Sequence, residues 1–290
     1  MLLNVTGSSF VNNSAYLSAG VMLVQSTNLI VNDCLFTGNT ALTGSAGVMD
    51  LSCPITPGIG NCTYSISNSV FSNNSAGVNG GAITYDFFPP DVSANNTFEN
   101  NSATYAPDVG SYPATIVMPQ GRRLQALSAT EVEAMGLSNA VVYYIDVPQV
   151  SGNVINPSVT LDLLGIAGVK IVTDNSSVAT MVPLDSNSVN LLKSKFVTVV
   201  EGTFVFNDVI IVSNPGTNVT IKIQVDSIDK AKLAAAFPGA SFADVYLLFS
   251  LRLCTRGEYQ TSDNKCVVCA QGLYSLYENQ SACHSCPAEA

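Results

Sequence analysis

Residues 71–83 read FSNNSAGVNGGAI, and this stretch decides the fold. It joins a phenylalanine, two asparagines, a Ser-Ala step and a Gly-Gly-Ala-Ile strand start into one unit. The unit recurs as SFVNNSAYLSAGVM, ending at Met22, and as LFTGNTALTGSAGVM, ending at Met49; TFENNSA, around Phe98, opens a fourth copy. The anchoring residues Phe10, Phe36, Phe71 and Phe98 stand 26, 35 and 27 residues apart. The long middle step holds Cys53 and Cys62, whose spacing of nine equals its excess over the first step. An insertion closed by its own disulfide accounts for the arithmetic and leaves the register intact.

A repeat of this length, built of short β runs and Gly/Asn/Ser turns, predicts a solenoid. No helical periodicity interrupts residues 1–121. A single unit cannot bury its apolar face, whereas stacked coils bury a continuous one. Stacking would place each Phe about 4.8 Å from its equivalent in the next coil. Asn13, Asn39, Asn74 and Asn101, at a fixed offset, would form a second ladder through their amides. The Ala-Gly or Gly-Gly step lets the backbone turn where a side chain would clash. These features predict a right-handed parallel β-helix over residues 1–121.

The Phe-x-x-Asn element with Gly80-Gly81-Ala82-Ile83 resembles the repeat of the chlamydial polymorphic outer-membrane proteins. That repeat is shared by β-helix surface proteins of protists and algae. The resemblance extends over about the first 105 residues. Ala19-Gly20-Val21-Met22 and Ala46-Gly47-Val48-Met49 are variants of its glycine signature.

The chain has 290 residues, enough for two or three domains, and charged residues make up only 11% of it, against about 25% in an average globular domain. Asn, Ser, Thr and Gly supply the polarity, as on a β-rich extracellular surface. The net charge is −10 and all eleven Lys and Arg lie at Arg122 or later, so a nucleic-acid partner is not expected. There is no signal-peptide pattern at the start and no run of eighteen apolar residues. Val5 to Phe10 parallels Ile66 to Phe71, so the array is expected to continue upstream of Met1, with a membrane anchor expected downstream.

Residues 122–139 read as a linker or cap, in which Arg122-Arg123 is either a processing site or an ordinary loop and SATEVEAMG a short capped helix. Residues 140–253 predict an antiparallel β-sandwich, Ig-like in a loose sense. Its expected strands are 141–147, 169–173, 196–201, 203–212, 219–225 and 245–251, with a helix over 229–236. Strict alternation makes 219–225 the clearest. The last segment, 254–290, carries Cys254, Cys266, Cys269, Cys283 and Cys286. Its two CxxC pairs approach zinc-ribbon spacing, but that leaves Cys254 over, and Gly257-Glu258-Tyr259 and Gly272-Leu273-Tyr274-Ser275 among the cysteines suit a small disulfide module.

The module resembles the cysteine-rich repeats of tumour-necrosis-factor-receptor and ephrin-receptor type. The resemblance implies pairing of Cys254 with Cys266 and of Cys269 with Cys283, and a partner for Cys286 beyond Ala290. The order of the three parts is similar to large surface proteins of algae, oomycetes and ciliates, which implies an ectodomain without a defined enzymatic activity.

Nine Asn-x-Ser/Thr triplets occur, at Asn4, Asn12, Asn61, Asn73, Asn95, Asn100, Asn175, Asn218 and Asn279. The repeat's own richness in Asn and Ser produces several of them, and Asn175 and Asn218, flanking β runs, are the expected glycosylation sites. Residues 1–121 contain no Lys, Arg or His, which removes the chemistry of a pectate-type lyase. A hydrolase needs only two carboxylates. Aligning the repeats puts Asp50 and Asp86 two positions apart on neighbouring coils, about 8 Å from each other. The expected function is non-catalytic: a structural or adhesive surface segment, with no cofactor and no metal, whose partners are a glycan or an extracellular protein. A carbohydrate-active hydrolase using Asp50 and Asp86, and a ligand-binding receptor, are the alternatives. Cys34 is expected to behave as a buried apolar residue.

Overall fold

The computed structural model describes residues 1–53, 62–119, 124–166, 168–236 and 240–287. The triplet at Asn61 and the pair Arg122-Arg123 lie outside the described residues.

The first 111 residues form four parallel sheets, each built from one strand of every successive repeat. One sheet holds Leu2–Thr6, Asn28–Asn32, Tyr64–Ser67 and Asp91–Ala94, with a register shift between the last two, and a second holds Ser9–Val11, Leu35–Thr37, Val70–Ser72 and Thr97–Glu99. A third, shorter sheet pairs Ser14–Ala15, Thr40–Ala41 and Ser75–Ala76. The fourth pairs Met22–Gln25, Met49–Ser52, Ile83–Tyr85 and Val109–Ser111. The sheet pattern fits a β-helix of four rungs. The rung bends at three left-handed positions that recur in every copy. One column is Gly7, Asp33, Asn68 and Asn95, another Asn12, Gly38, Asn73 and Asn100, and the third Ala19, Ala46, Gly80 and Ala106. Glycine and the short amide and acid side chains tolerate that conformation best, so their spacing marks the first two corners, whereas the third is mostly alanine.

The register that pairs the strands also stacks Phe10, Phe36, Phe71 and Phe98. Consecutive ring centroids are 5.1, 4.8 and 4.9 Å apart, with planes 3°, 12° and 8° from parallel. Phe36 and Phe71 are fully buried, in a core shared with Leu29, Val31, Leu51, Ile66 and Ile83. The asparagine ladder runs beside it. Asn13, Asn39 and Asn74 each donate Nδ2–H to the Oδ1 of the next rung's asparagine at 2.9–3.0 Å. Asn39, Asn74 and Asn101 also donate to the carbonyls of Phe10, Phe36 and Phe71. Asp108 Oδ1 ends the series by accepting from Asn101.

Sheet pairing crosses the expected boundary at residue 121. Pro113–Val117 joins Val159–Gly165 and Thr203–Phe206 in an antiparallel sheet. Within the expected linker or cap, residues 124–126 and 129–134 also pack on strands of the second group of sheets. Leu124–Ala126 is an edge strand on Ala140–Gln149, and helix α1 (Ala129–Ala134) packs Val132 against Val142 and Tyr246. Ser128 caps that helix in a capping box with Glu131.

The second sheet of the sandwich runs Leu124–Ala126, Ala140–Gln149, Asp244–Leu251, Asn218–Val225, Val178–Pro183, Phe196–Thr198. The antiparallel expectation needs one correction, because Ala140–Gln149 and Asp244–Leu251 run parallel. About a hundred residues separate the two strands, so no hairpin forces them to oppose. Residues 169–173 do not form a strand; only a single bridge links Leu164 and Lys170. Residues 203–212 split into Thr203–Phe206 and Val209–Val212. Helix α2 spans Lys230–Ala236. Leu161, Leu163, Phe204, Ile221, Leu247 and Phe249 fill the space between the sheets.

Two joints tie the parts together. On the rung side, Ser176 Oγ donates to Thr104 O at 2.9 Å, Thr173 Oγ1 donates to Val109 O, and Ala106 enters the sandwich core. On the other side, the backbone N–H of Cys266 donates to Ser151 O, and Ser151 Oγ bonds both Ser213 O and Asn264 O. Three disulfides, Cys53–Cys62, Cys254–Cys266 and Cys269–Cys283, have Cα separations of 6.0, 5.2 and 5.8 Å.

Candidate functional site

The Asp50/Asp86 pair sits on the fourth sheet of the rung stack. Met49, Leu51 and Ile83 turn into the core, so strand alternation sends Asp50 to the opposite face. Asp50 lies opposite Thr84 in the register, and Asp86 follows Thr84 by two residues. Ideal strand spacing, one rung and two residues, corresponds to about 8 Å, although Asp86 already lies past the end of Ile83–Tyr85.

The two carboxyls have different surroundings. Asp50 is half-buried and accepts a hydrogen bond from Ser18 Oγ at 2.5 Å. Burial pushes its carboxyl above the usual range; the Ser18 bond opposes the shift and the charge of Asp86 adds to it. Asp86 is buried and its two oxygens are occupied by neighbours. The backbone N–H of Cys53 donates at 3.0 and 2.9 Å, Ser52 Oγ at 3.0 Å and the backbone N–H of Phe87 at 2.6 Å. Its bonds hold Cys53, the point where the disulfide-closed insertion leaves the rung. Burial, then the charges of Asp86 and Asp50, raise the Tyr64 hydroxyl far above its ordinary value. Tyr112 is raised by burial and by Asp50, against a bond with Ser45. Ser18, Tyr64 and Tyr112 gave no sign in the sequence because they come from different rungs, Tyr64 from a strand and the other two from connecting segments.

The remaining sites scatter. Asn175 is exposed and its Oδ1 accepts from the N–H of Glu201 at 2.8 Å. Asn218 is exposed at the start of Asn218–Val225. Cys34 is a free, buried thiol, 3.3 Å from Asn32 O, and Cys286 is free and exposed. Because Cys254, Cys266, Cys269 and Cys283 are all in disulfides, they do not form a tetrathiolate site. No cluster of three or more His, Cys, Asp or Glu side chains suited to a metal occurs among the described residues.

A cleft of about 830 Å³ opens beside α2 in the sandwich, between Thr115 and the strands of Thr180, Lys222 and Asp244. Two of its cations share one acid: Lys222 Nζ and Lys230 Nζ reach Asp244 at 2.8 and 2.5 Å, and Asp226 and Asp229 also line it. Burial raises the Asp244 carboxyl, but the two lysines outweigh it and hold the group low.

Strand makes up 47% of the described residues and helix 4%, and the parallel rungs place the chain among all-β repeat proteins. The comparison with protein families identifies the repeat type. Residues 68–84 match the Chlamydia polymorphic membrane protein (Chlamydia_PMP) repeat, which supports a surface-type repeat protein. The matched stretch runs from the Asn68 corner through Phe71, Asn74 and Gly81 to Thr84, so it contains one member of each ladder. No curated protein and no solved structure matches the chain. No helix among the described residues is long and apolar enough to cross a membrane.

Proposed function

We propose that this chain is a non-catalytic extracellular portion of a cell-surface protein, probing or bearing load outside the cell as a structural or adhesive segment. In this reading the rungs wind as a right-handed parallel β-helix, followed by the sandwich and by a disulfide module of tumour-necrosis-factor-receptor or ephrin-receptor type, as in large surface proteins of protists and algae. Asn175 and Asn218 carry glycans, and a glycan or an extracellular protein is the partner. The observation that carries the proposal is the unbroken Phe10–Phe36–Phe71–Phe98 stack. Each rung is bonded to the next along several strands at once, so bending must break several bonds together. Labelling intact cells with a membrane-impermeant amine reagent tests location; labelling only after lysis would contradict it. Beads coated with the chain test adhesion, and failure to retain cells or matrix glycans above bare beads would remove the adhesive role.

The second reading, inverting hydrolysis, is favoured by the raised Asp50 carboxyl, about 8 Å from Asp86 on ideal strand spacing. Asp50 would be the acid and Asp86 the base. The bonds from Cys53, Ser52 and Phe87 weigh against it, because a base needs a free lone pair for water. Turnover of plant or algal polysaccharides that disappears in Asp50→Asn would establish it; an inactive parent chain ends it.

A further inference from the structure

We infer that one corner of the rung stack is a row of N-glycan acceptors, at Asn12, Asn73 and Asn100. This rests on the extracellular reading above, because the modification belongs to the secretory route. The three residues are the first members of Asn-Asn-Ser copies, and the sheet register aligns them in one column with Gly38. All three are exposed, with φ of 55°, 54° and 53°. Among the described residues none of their side chains makes a hydrogen bond. Their immediate neighbours differ: Asn13, Asn74 and Asn101 all bond within the amide ladder, and Asn74 is fully buried. The tandem asparagines thus divide the work. The inner one holds the rungs together, and the outer one presents a free carboxamide to solvent, with Ser14, Ser75 or Ser102 supplying the hydroxyl of the acceptor triplet.

Composition alone would not sort the triplets in this way. Asn95, at a different corner, donates Nδ2–H to Asn68 Oδ1 at 3.3 Å. Gly38 makes room in the column, since a Cβ there would stand 2.3 Å from Asn12 Oδ1. Asn12 and Asn73 are two rungs apart, about 9.6 Å, whereas Asn73 and Asn100 are one rung apart, about 4.8 Å. Two sugar branches do not fit side by side at the shorter distance, so the pair shares one glycan per chain.

The donor class is a lipid-linked oligosaccharide pyrophosphate. Asn Nδ2 attacks the anomeric carbon and a C–N bond forms. The anomeric C–O bond breaks, the lipid pyrophosphate leaves with the electron pair, and one Nδ2 proton passes to a base. The full chain, secreted from a eukaryotic cell that performs N-glycosylation, is treated with peptide-N-glycosidase in ¹⁸O water and its peptides are weighed. The expected result is ¹⁸O-Asp at position 12 and at 73 or 100, with intact mass showing two glycans from the column. Ser14→Ala, Ser75→Ala and Ser102→Ala should each remove the label at their own site while the circular dichroism stays unchanged. Unlabelled Asn12, Asn73 and Asn100 in a chain whose disulfides have formed would overturn the inference and leave the surface reading standing. Free thiols at Cys53, Cys62, Cys254, Cys266, Cys269 and Cys283 in the secreted chain would bring down both.

Discussion

The carbonyl oxygen of Gly81 lies 2.0 Å from the point a Cβ on Gly47 would occupy. Gly20 stands in the same relation to Gly47, at 2.1 Å, and Gly81 to Pro107, at 2.1 Å. The glycine column is therefore a steric requirement of the rung spacing. Gly47→Ala has nowhere to move, because Ser75 O and Ser75 N also stand within 3 Å of that point. It should cost about 3 kcal/mol, the upper end of overpacking penalties, read as a lower midpoint in urea. Gly7→Asn is the control, since nothing lies within 4 Å of its Cβ position and its column mates are Asp33, Asn68 and Asn95. That variant should unfold within about 0.5 kcal/mol of the parent.

Phe71 is fully buried between Phe36 and Phe98, whereas Phe98 is only half-buried at the end of the stack. Phe71→Ala loses packing on both ring faces and should cost about 3–5 kcal/mol. Phe98→Ala should cost clearly less, because a solvent-facing site can relax or hydrate. Equal losses in thermal or urea unfolding would show that the stack does not act as a graded ladder.

Asn74 donates to Phe36 O and Asn101 Oδ1 and accepts from both nitrogens of Asn39. Asn74→Asp keeps the acceptor and deletes the donor, leaving two buried oxygens facing a new charge. Each unsatisfied buried group costs about 1–3 kcal/mol, so this near-isosteric change should destabilise more than Asn13→Asp on the exposed first rung. Burial against two oxygens raises the introduced acid above its ordinary value, and protonating it restores a donor, so the Asn74→Asp deficit should shrink as pH falls toward about 4 and be smallest there. A deficit independent of pH would mean that the lost bonds matter less than packing.

The rungs were legible because their chemistry repeats. A phenylalanine, an asparagine and a glycine at fixed offsets each need an identical neighbour one rung away, so spacing alone locates the coils and the Asp50/Asp86 offset. The sandwich has no such redundancy. Val159–Gly165 is a strictly alternating strand in the structure, yet Asp162 and the Leu163-Leu164 step blur its period in the sequence. Asp162 is settled only by Lys170 Nζ at 3.0 Å and Thr203 Oγ1 at 2.8 Å, both supplied from elsewhere in the chain. The parallel pairing of Ala140–Gln149 with Asp244–Leu251 is likewise a long-range choice that no local pattern encodes. In the candidate site the carboxylates were visible, but the partners that set their character (Ser18, Tyr64 and the Cys53 N–H) depend on which rung lies beside which.

Arg252, just past the last sandwich strand, forms two parallel bonds to Glu258 at the start of the cysteine module. Nη1 meets Oε2 and Nη2 meets Oε1, both at 2.8 Å. The Arg252 bonds come first in holding the Glu258 carboxyl down to about 2; burial opposes them, and the N–H of Thr255 assists. The sign follows from that depression. Unfolded, the glutamate has its ordinary value near 4.3, so the folded state binds its proton less readily. The stabilisation is complete above the unfolded value and is lost as pH falls toward about 2. Arg252→Ala removes a bidentate charge-assisted pair, worth about 2 kcal/mol, and should flatten the acid limb of stability between about pH 4.3 and 2. Urea midpoints of parent and variant at pH 7, 4 and 2.5 check this. The two should differ most at pH 7 and converge as the solution is acidified, and a constant gap would show that Arg252 acts through its packing and not through Glu258.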